Sequence, residues 1–127
     1  MLSSHFTPCV LIPCYNHGAM MASVLARLAP FNLPVILVDD GSDATTKQQI
    51  AALEAPQLRV LTLPHNQGKG AAVIAGMRAA AAAGYSHALQ LDVDGEHQVE
   101  DTPRMLAEAQ RYRTEESRAG KECRAPW

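Results

Sequence analysis

Four short apolar runs punctuate the chain, and each stops at a turn signal. Cys9-Val10-Leu11-Ile12 is closed by Pro13, and Val35-Ile36-Leu37-Val38 by Asp39-Asp40-Gly41-Ser42. Leu58 to Leu63 ends at Pro64, and Ala88 to Val93 runs into Asp94-Gly95. Runs this short, branched and unalternating suit strands buried on both faces of a sheet. Helical patterns fill the intervals. Ala19 to Leu28 follows Asn16-His17-Gly18, and Thr45 to Leu53 follows Ser42-Asp43, whose oxygens suit the free N–H groups of a first turn. Gly70 to Ala83 is alanine-rich and stops before Gly84. Thr102-Pro103 reads as the cap and first position of a last helix reaching Arg111. Strand and helix in regular alternation predict an α/β domain: three layers, α/β/α, around a mostly parallel central sheet.

That order also predicts where a ligand sits, since open parallel sheets bind beyond the carboxyl ends of their strands. The polar clusters all fall there: Pro13-Cys14-Tyr15-Asn16, Asp39-Asp40-Gly41-Ser42, His65-Asn66-Gln67-Gly68-Lys69-Gly70 and Asp92-Val93-Asp94-Gly95-Glu96. Four turns from separate parts of the chain are expected to converge on one rim.

Composition narrows the classes. The chain has 127 residues, 47% of them hydrophobic and 19% charged, which suits one domain with a real core and excludes disorder throughout. A net charge of −2 with 5% aromatic residues gives neither the basic footprint nor the stacking platform of a nucleic-acid binder, so no nucleic-acid partner is expected. Three cysteines, Cys9, Cys14 and Cys123, without a CxxC pair, suit reduced thiols in a cytoplasmic protein better than a disulfide framework or a zinc site. The start MLSSHFTP has neither the basic nor the long apolar region of a signal peptide, and GAAVIAGMRAAAAAG is too short and small-sided for a membrane span.

The clusters suggest a chemistry. Asp92 and Asp94 alternate on an extended stretch and offer two carboxylates on one side; Glu96 continues the alternation, and such oxygens suit a hard divalent cation such as Mg2+. A solvated acidic turn is the bland alternative, which placement directly after Ala88-Leu89-Gln90-Leu91 disfavours. Lys69 opens the third helix from a glycine-flanked loop, where backbone N–H groups and an ammonium suit a phosphate. The loop is neither a Walker A sequence nor a dinucleotide fingerprint. One carboxylate of Asp39-Asp40 is placed to accept from the N–H edge of a nucleobase, with Tyr15 as a ring against it and Asn16 as a two-sided hydrogen-bonding group. The same acids also read as a plain strand-ending turn with a helix cap. A base end, a phosphate end and a metal together point to a nucleoside diphosphate carrying something.

The stretches "VLIPCYN", "VILVDDGS", "NQGKGAAVIAGMRAA" and "ALQLDVDGEH", in this order over residues 8–112, resemble the inverting family 2 glycosyltransferases of GT-A fold. "LDVDGEH" is similar to the form in dolichyl- or polyprenyl-phosphate sugar synthases. The resemblance implies a nucleotide-sugar donor, UDP- or GDP-linked, bound with Mg2+ or Mn2+. It implies that Pro13, Tyr15 and Asn16 line the nucleoside pocket and that Asp40 meets the base. Lys69 would lie near base and diphosphate, Asp92 near ribose and metal, and Asp94 would be the principal metal ligand. Glu96, where that branch usually has Gln, would also touch the metal. Transfer would go by direct displacement at the anomeric carbon, to a lipid phosphate or a glycan.

The family's general base and its later metal-binding histidine are expected beyond the D-x-D segment, so the catalytic base is not among the residues assigned here. Residues 1–113 are expected to form the nucleotide-sugar-binding half of a GT-A domain. Residues 114–127, "TEESRAGKECRAPW", lack a strand pattern and are expected to be an irregular tail of a truncated chain. The complete enzyme would be cytoplasmic and would meet a lipid acceptor at the inner membrane face. Two alternatives stand beside this reading. One is an inactive nucleotide-binding fragment; the other is a haloacid-dehalogenase-type phosphatase, whose D-x-D-G motif "LDVDG" resembles but which would carry it near the N-terminus.

Overall fold

The computed structural model describes residues 6–16, 18–53, 55–91 and 102–108. Four strands form one parallel sheet: β1 (Pro8–Cys14), β2 (Val35–Asp40), β3 (Leu58–Leu63) and β4 (His87–Gln90). Their order is β3-β2-β1-β4, so the chain steps outward from β1 to β3 and then returns across the sheet to β4. The reversal lies between β1 and β4, where a doubly wound sheet opens a crevice at its carboxyl edge.

Residue parity decides which face each side chain buries. Val10, Ile12, Val35 and Leu37 face helix α1 (Met21–Leu28) and helix α2 (Ala44–Ala51). Met21, Val24, Leu25 and Leu28 of α1 recur at helical spacing and complete that layer. Met105 and Leu106, from the helical segment 102–108, pack against the same cluster. Cys9, Leu11, Ile36 and Val38 face the other way, against helix α3 (Lys69–Ala82). The helix lies close because Ala72, Gly76 and Ala80 form its buried stripe, and a Cβ on Gly76 would meet Leu11 and Val38. It ends as Gly84 forecasts: Gly84 has φ +92°, its N–H bonds the Ala81 carbonyl at 3.0 Å, and the Tyr85 N–H bonds that of Ala80 at 3.0 Å. This paired closure is a Schellman motif. The Cys9 thiol, pushed up to about 12 by burial, is an inert part of the core, and Cys14 is buried likewise.

Three expectations need correction. Pro13 does not close β1, which continues to Cys14. Val10 N–H points to β2 and the Leu11 carbonyl to β4, so alternation turns the N–H that Pro13 lacks toward β4, past the last described rung at Leu91. β3 and β4 are not buried on both faces: β3, at the sheet edge, is only partly covered, and most of β4 is half-buried. Helix α1 begins at Met21, after a 3-10 turn over Gly18–Met20, and α2 stops at Ala51. The tail 114–127 lies outside the described residues.

Candidate functional site

Asp39 and Asp40 are consecutive on a strand, so their side chains leave opposite faces of the sheet. Each organises a different loop. Asp39 is only 2% exposed and turns toward α2. Its Oδ1 accepts the Ser42 N–H at 3.0 Å, and its Oδ2 accepts from the Lys47 ammonium at 3.0 Å. The Ser42 hydroxyl accepts the Asn16 N–H at 3.1 Å, while Asn16 Oδ1 accepts the Asp43 N–H at 2.8 Å. Asn16 makes this reach from φ +60°, a left-handed conformation that Asn tolerates better than most residues. Asp43 then caps α2 through the Thr46 N–H at 2.9 Å. The loop after β1 is thus latched to the loop after β2 by two hydrogen bonds.

Burial alone pushes the Asp39 carboxyl up, but donation by the Ser42 hydroxyl, by Lys47 and by the Ser42 backbone outweighs it and holds the group below its usual 3.8. A folded value below the unfolded one adds stability that is complete above the unfolded value and disappears as pH falls through the folded one. The stability gap between the parent chain and Asp39→Asn should therefore be widest at neutral pH and close progressively below about pH 4. Urea midpoints across that range check this; a gap that widens in acid contradicts the assignment.

Asp40, also 2% exposed, faces the α3 side and grips the loop after β3. Its Oδ1 accepts the Gln67 N–H at 2.8 Å; its Oδ2 accepts the Gly68 N–H at 3.0 Å and Asn66 Nδ2 at 3.1 Å. Asn66 Nδ2 also reaches the Asp40 carbonyl at 3.2 Å. A carboxylate so buried is tolerated because donors replace the water it loses. Gly41 follows at φ +68°, with the backbone of His65 and Asn66 lying where a Cβ would go. The segment 39–43 is therefore the hub of the rim, tied on one side to Asn16 and on the other to residues 65–68.

The structure brings together the loops that carry Pro13, Tyr15, Asn16, Asp40 and Lys69. Pro13 is buried within β1, Tyr15 stands out at 46% exposure, and Lys69 is exposed as the first residue of α3. Two side chains are less available than their types suggest: Asn16 has committed its oxygen to Asp43, and Asp40 already accepts three hydrogen bonds. Asp92, Asp94 and Glu96 lie outside the described residues; the described strand arrives at the same edge with Leu91, whose N–H bonds the Leu11 carbonyl at 2.9 Å. Among the described residues no group of three or more His, Cys, Asp or Glu side chains could hold a metal ion, and no helix is long and apolar enough to cross a membrane. Sequence reading assigned no task to Lys47 or Asn66 and did not foresee the latch through Ser42 and Asp43. Asp43 three residues before Thr46 is a visible cap signal, but nothing in the order of residues pairs Asn66 with Asp40.

The profile of the glycosyl transferase family 2 domain matches residues 9–115. Over 100 residues the chain is 37% identical to an undecaprenyl-phosphate mannosyltransferase of Micrococcus luteus, covering 76% of this chain and 41% of that protein. It is 34% identical over 109 residues to an undecaprenyl-phosphate 4-deoxy-4-formamido-L-arabinose transferase of Aeromonas hydrophila, covering 79% and 32%. With a polyprenol monophosphomannose synthase of Mycolicibacterium smegmatis it shares 30% over 102 residues, covering 76% and 38%. The chain thus spans less than half the length of these curated relatives.

Proposed function

Because the chain belongs to glycosyl transferase family 2, we propose that its carboxyl rim binds a nucleoside-diphosphate sugar, UDP- or GDP-linked, for transfer to a polyprenyl-type lipid phosphate. The observation that carries this reading is the convergence of three loops at one sheet edge, next to the β1–β4 reversal. The acceptor class is supported by the relatives, which are named for undecaprenyl phosphate and polyprenol. Family membership also removes the phosphatase alternative.

Tyr15 presents its ring at the rim for the base, beside Pro13 and Asn16, whose nitrogen end remains for the nucleoside once its oxygen holds Asp43. Asp40 belongs to the floor of this pocket, and Lys69 supplies positive charge for the diphosphate. Asp92, Asp94 and Glu96 are an all-oxygen donor set of the kind that suits Mg2+ or Mn2+. Such a cation, when bound, offsets the charge that gathers on a departing diphosphate. The acceptor phosphate oxygen forms its bond to the anomeric carbon as the bond from that carbon to the diphosphate breaks. The electron pair leaves with the nucleoside diphosphate, and configuration inverts. An already ionised phosphate needs no base, which suits an acceptor of this class.

UDP or GDP, at a hundredfold excess over Kd, should stabilise the chain by about 2.7 kcal/mol, and only with Mg2+ or Mn2+ present. Asp94→Ala should reduce that shift to near zero while leaving the ligand-free melting temperature unchanged. A variant that binds as well as the parent overturns the metal assignment. Transfer of radiolabelled sugar to polyprenyl phosphate then separates an active transferase from a donor-binding fragment, which binds without transferring.

A further inference from the structure

The Tyr15 ring is 46% exposed, so the backbone on either side governs where it stands. On one side Cys14 is buried in β1, opposite Asp39 in the parallel register. On the other the chain turns at Asn16 through φ +60°, a left-handed conformation that an L residue adopts at some cost. Two bonds from the loop after β2 hold that turn. The Asn16 N–H donates to Ser42 Oγ at 3.1 Å, and Asn16 Oδ1 accepts the Asp43 N–H at 2.8 Å. Two residues further on, Gly18 is buried against α2, where a Cβ would meet Gln49 Oε1 at 2.6 Å and Thr46 Cγ2 at 2.9 Å. The hydroxyl of Ser42 is itself oriented. Its proton is turned to the Asp39 carboxylate, which the Lys47 ammonium anchors at 3.0 Å. Its lone pairs are left to accept, and a hydroxyl that donates to a charged group accepts more strongly in turn.

Resting on the donor-site reading above, we propose that Ser42 is a positioning residue for the nucleoside: its hydroxyl fixes the Asn16 turn and thereby the place where Tyr15 offers its ring to the base. Ser42 is 5% exposed and acts through the turn. The loop ahead of Lys69 is fixed by separate bonds, at residues 66–68, that do not involve Ser42. The nucleoside and diphosphate ends of the site are therefore separable by substitution.

Ser42→Ala removes the acceptor but leaves the Asp39–Lys47 pair and the N–H bond of residue 42 in place. In the full 127-residue chain, hydrogen exchange at Asn16 and Asp43 should accelerate about tenfold or more, while the β1 and β2 amides keep their protection. With Mg2+ present, UDP or GDP should bind about tenfold more weakly, and inorganic pyrophosphate as tightly as before. Tyr15→Ala should give the same split, and the double variant should bind nucleotide no more weakly than the weaker single variant. Unchanged exchange at Asn16 overturns the proposal, whatever the ligand data show. Equal weakening of nucleotide and pyrophosphate also overturns it, since that marks a general loosening of the rim. So does unchanged nucleotide affinity alongside faster exchange. If Ser42→Ala does not fold, Gly18→Ala gives the same decision, because it pushes the loop off α2 and leaves the hydroxyl in place. A parent chain that binds neither ligand removes the donor-site reading, and with it the service to Tyr15; exchange at Asn16 still decides whether Ser42 holds the turn.

Discussion

Gly41→Ala is expected to lower folding stability by about 2–5 kcal/mol, combining backbone strain with overpacking. Two independent costs meet at this residue. At φ +68° a Cβ is strained whatever surrounds it, and here the space it needs holds the backbone of His65 and Asn66. Backbone cannot swing aside as the end of a side chain does, and this stretch is bonded to Asp40 through Asn66 and Gln67. The opposing gain, a less disordered unfolded chain, is only about 0.4–1 kcal/mol. Gly68→Ala is the control: its φ is +102°, but nothing lies within 4 Å of the added Cβ. It should show the strain alone, about 1–3 kcal/mol. Urea unfolding of the two variants separates the terms. Equal losses would mean that the loops after β2 and β3 do not press on each other, and the hub assigned to residues 39–43 would fail. A domain of ordinary stability has only about 5–15 kcal/mol in total, so the larger loss would also disturb the rim.

The sequence discloses the architecture through a few kinds of signal. Unbroken runs such as Val35-Ile36-Leu37-Val38 identify buried parallel strands, because only a strand covered on both faces carries apolar residues at every position. The punctuation is equally direct: Asp43 caps α2 and Gly84 stops α3. What stays hidden depends on the third dimension. Leu58 to Leu63 interrupts its apolar residues with Arg59 and Thr62, which marks a strand only partly covered, but its place at the edge of the sheet cannot be read from a single strand. At the site, residue types show that oxygen and nitrogen groups gather at strand ends but not which are already engaged. Asn16 reads as a two-sided hydrogen-bonding group, and its fold gives one side to Asp43. Asp40 reads as a carboxylate ready for a ligand, and its fold already gives three of its acceptor positions to N–H groups 26 to 28 positions further along the chain. The family resemblance supplied the ordered motifs, and the match over residues 9–115 confirms that reading.

Leu37 and Val60 are partners in the β2–β3 register and share one face of the sheet, yet truncating them should have very different consequences. Leu37 is 0% exposed within the cluster that α1 and α2 cover, whereas Val60 is 39% exposed and lines an open groove of about 380 Å³ beside α2. Leu37→Ala leaves a cavity that rigid neighbours on β1 and β2 cannot close, at a cost of about 2–5 kcal/mol. Val60→Ala removes methyl groups that already touch water, and should cost under about 1 kcal/mol. Chemical denaturation of both variants tests the strand order itself, because an edge placement of β3 is what makes the two sites unequal. Comparable losses would mean that Val60 is covered in solution, and that β3 is not the open flank of the sheet. The inequality also bears on the rim. Asp39 and Asp40 end the same strand that carries Leu37, so the carboxylates that latch three loops stand on an inner strand bonded on both sides. That buried strand, with its low tolerance for truncation, is what lets residues 39–43 keep their geometry while the edge beyond them remains half-open.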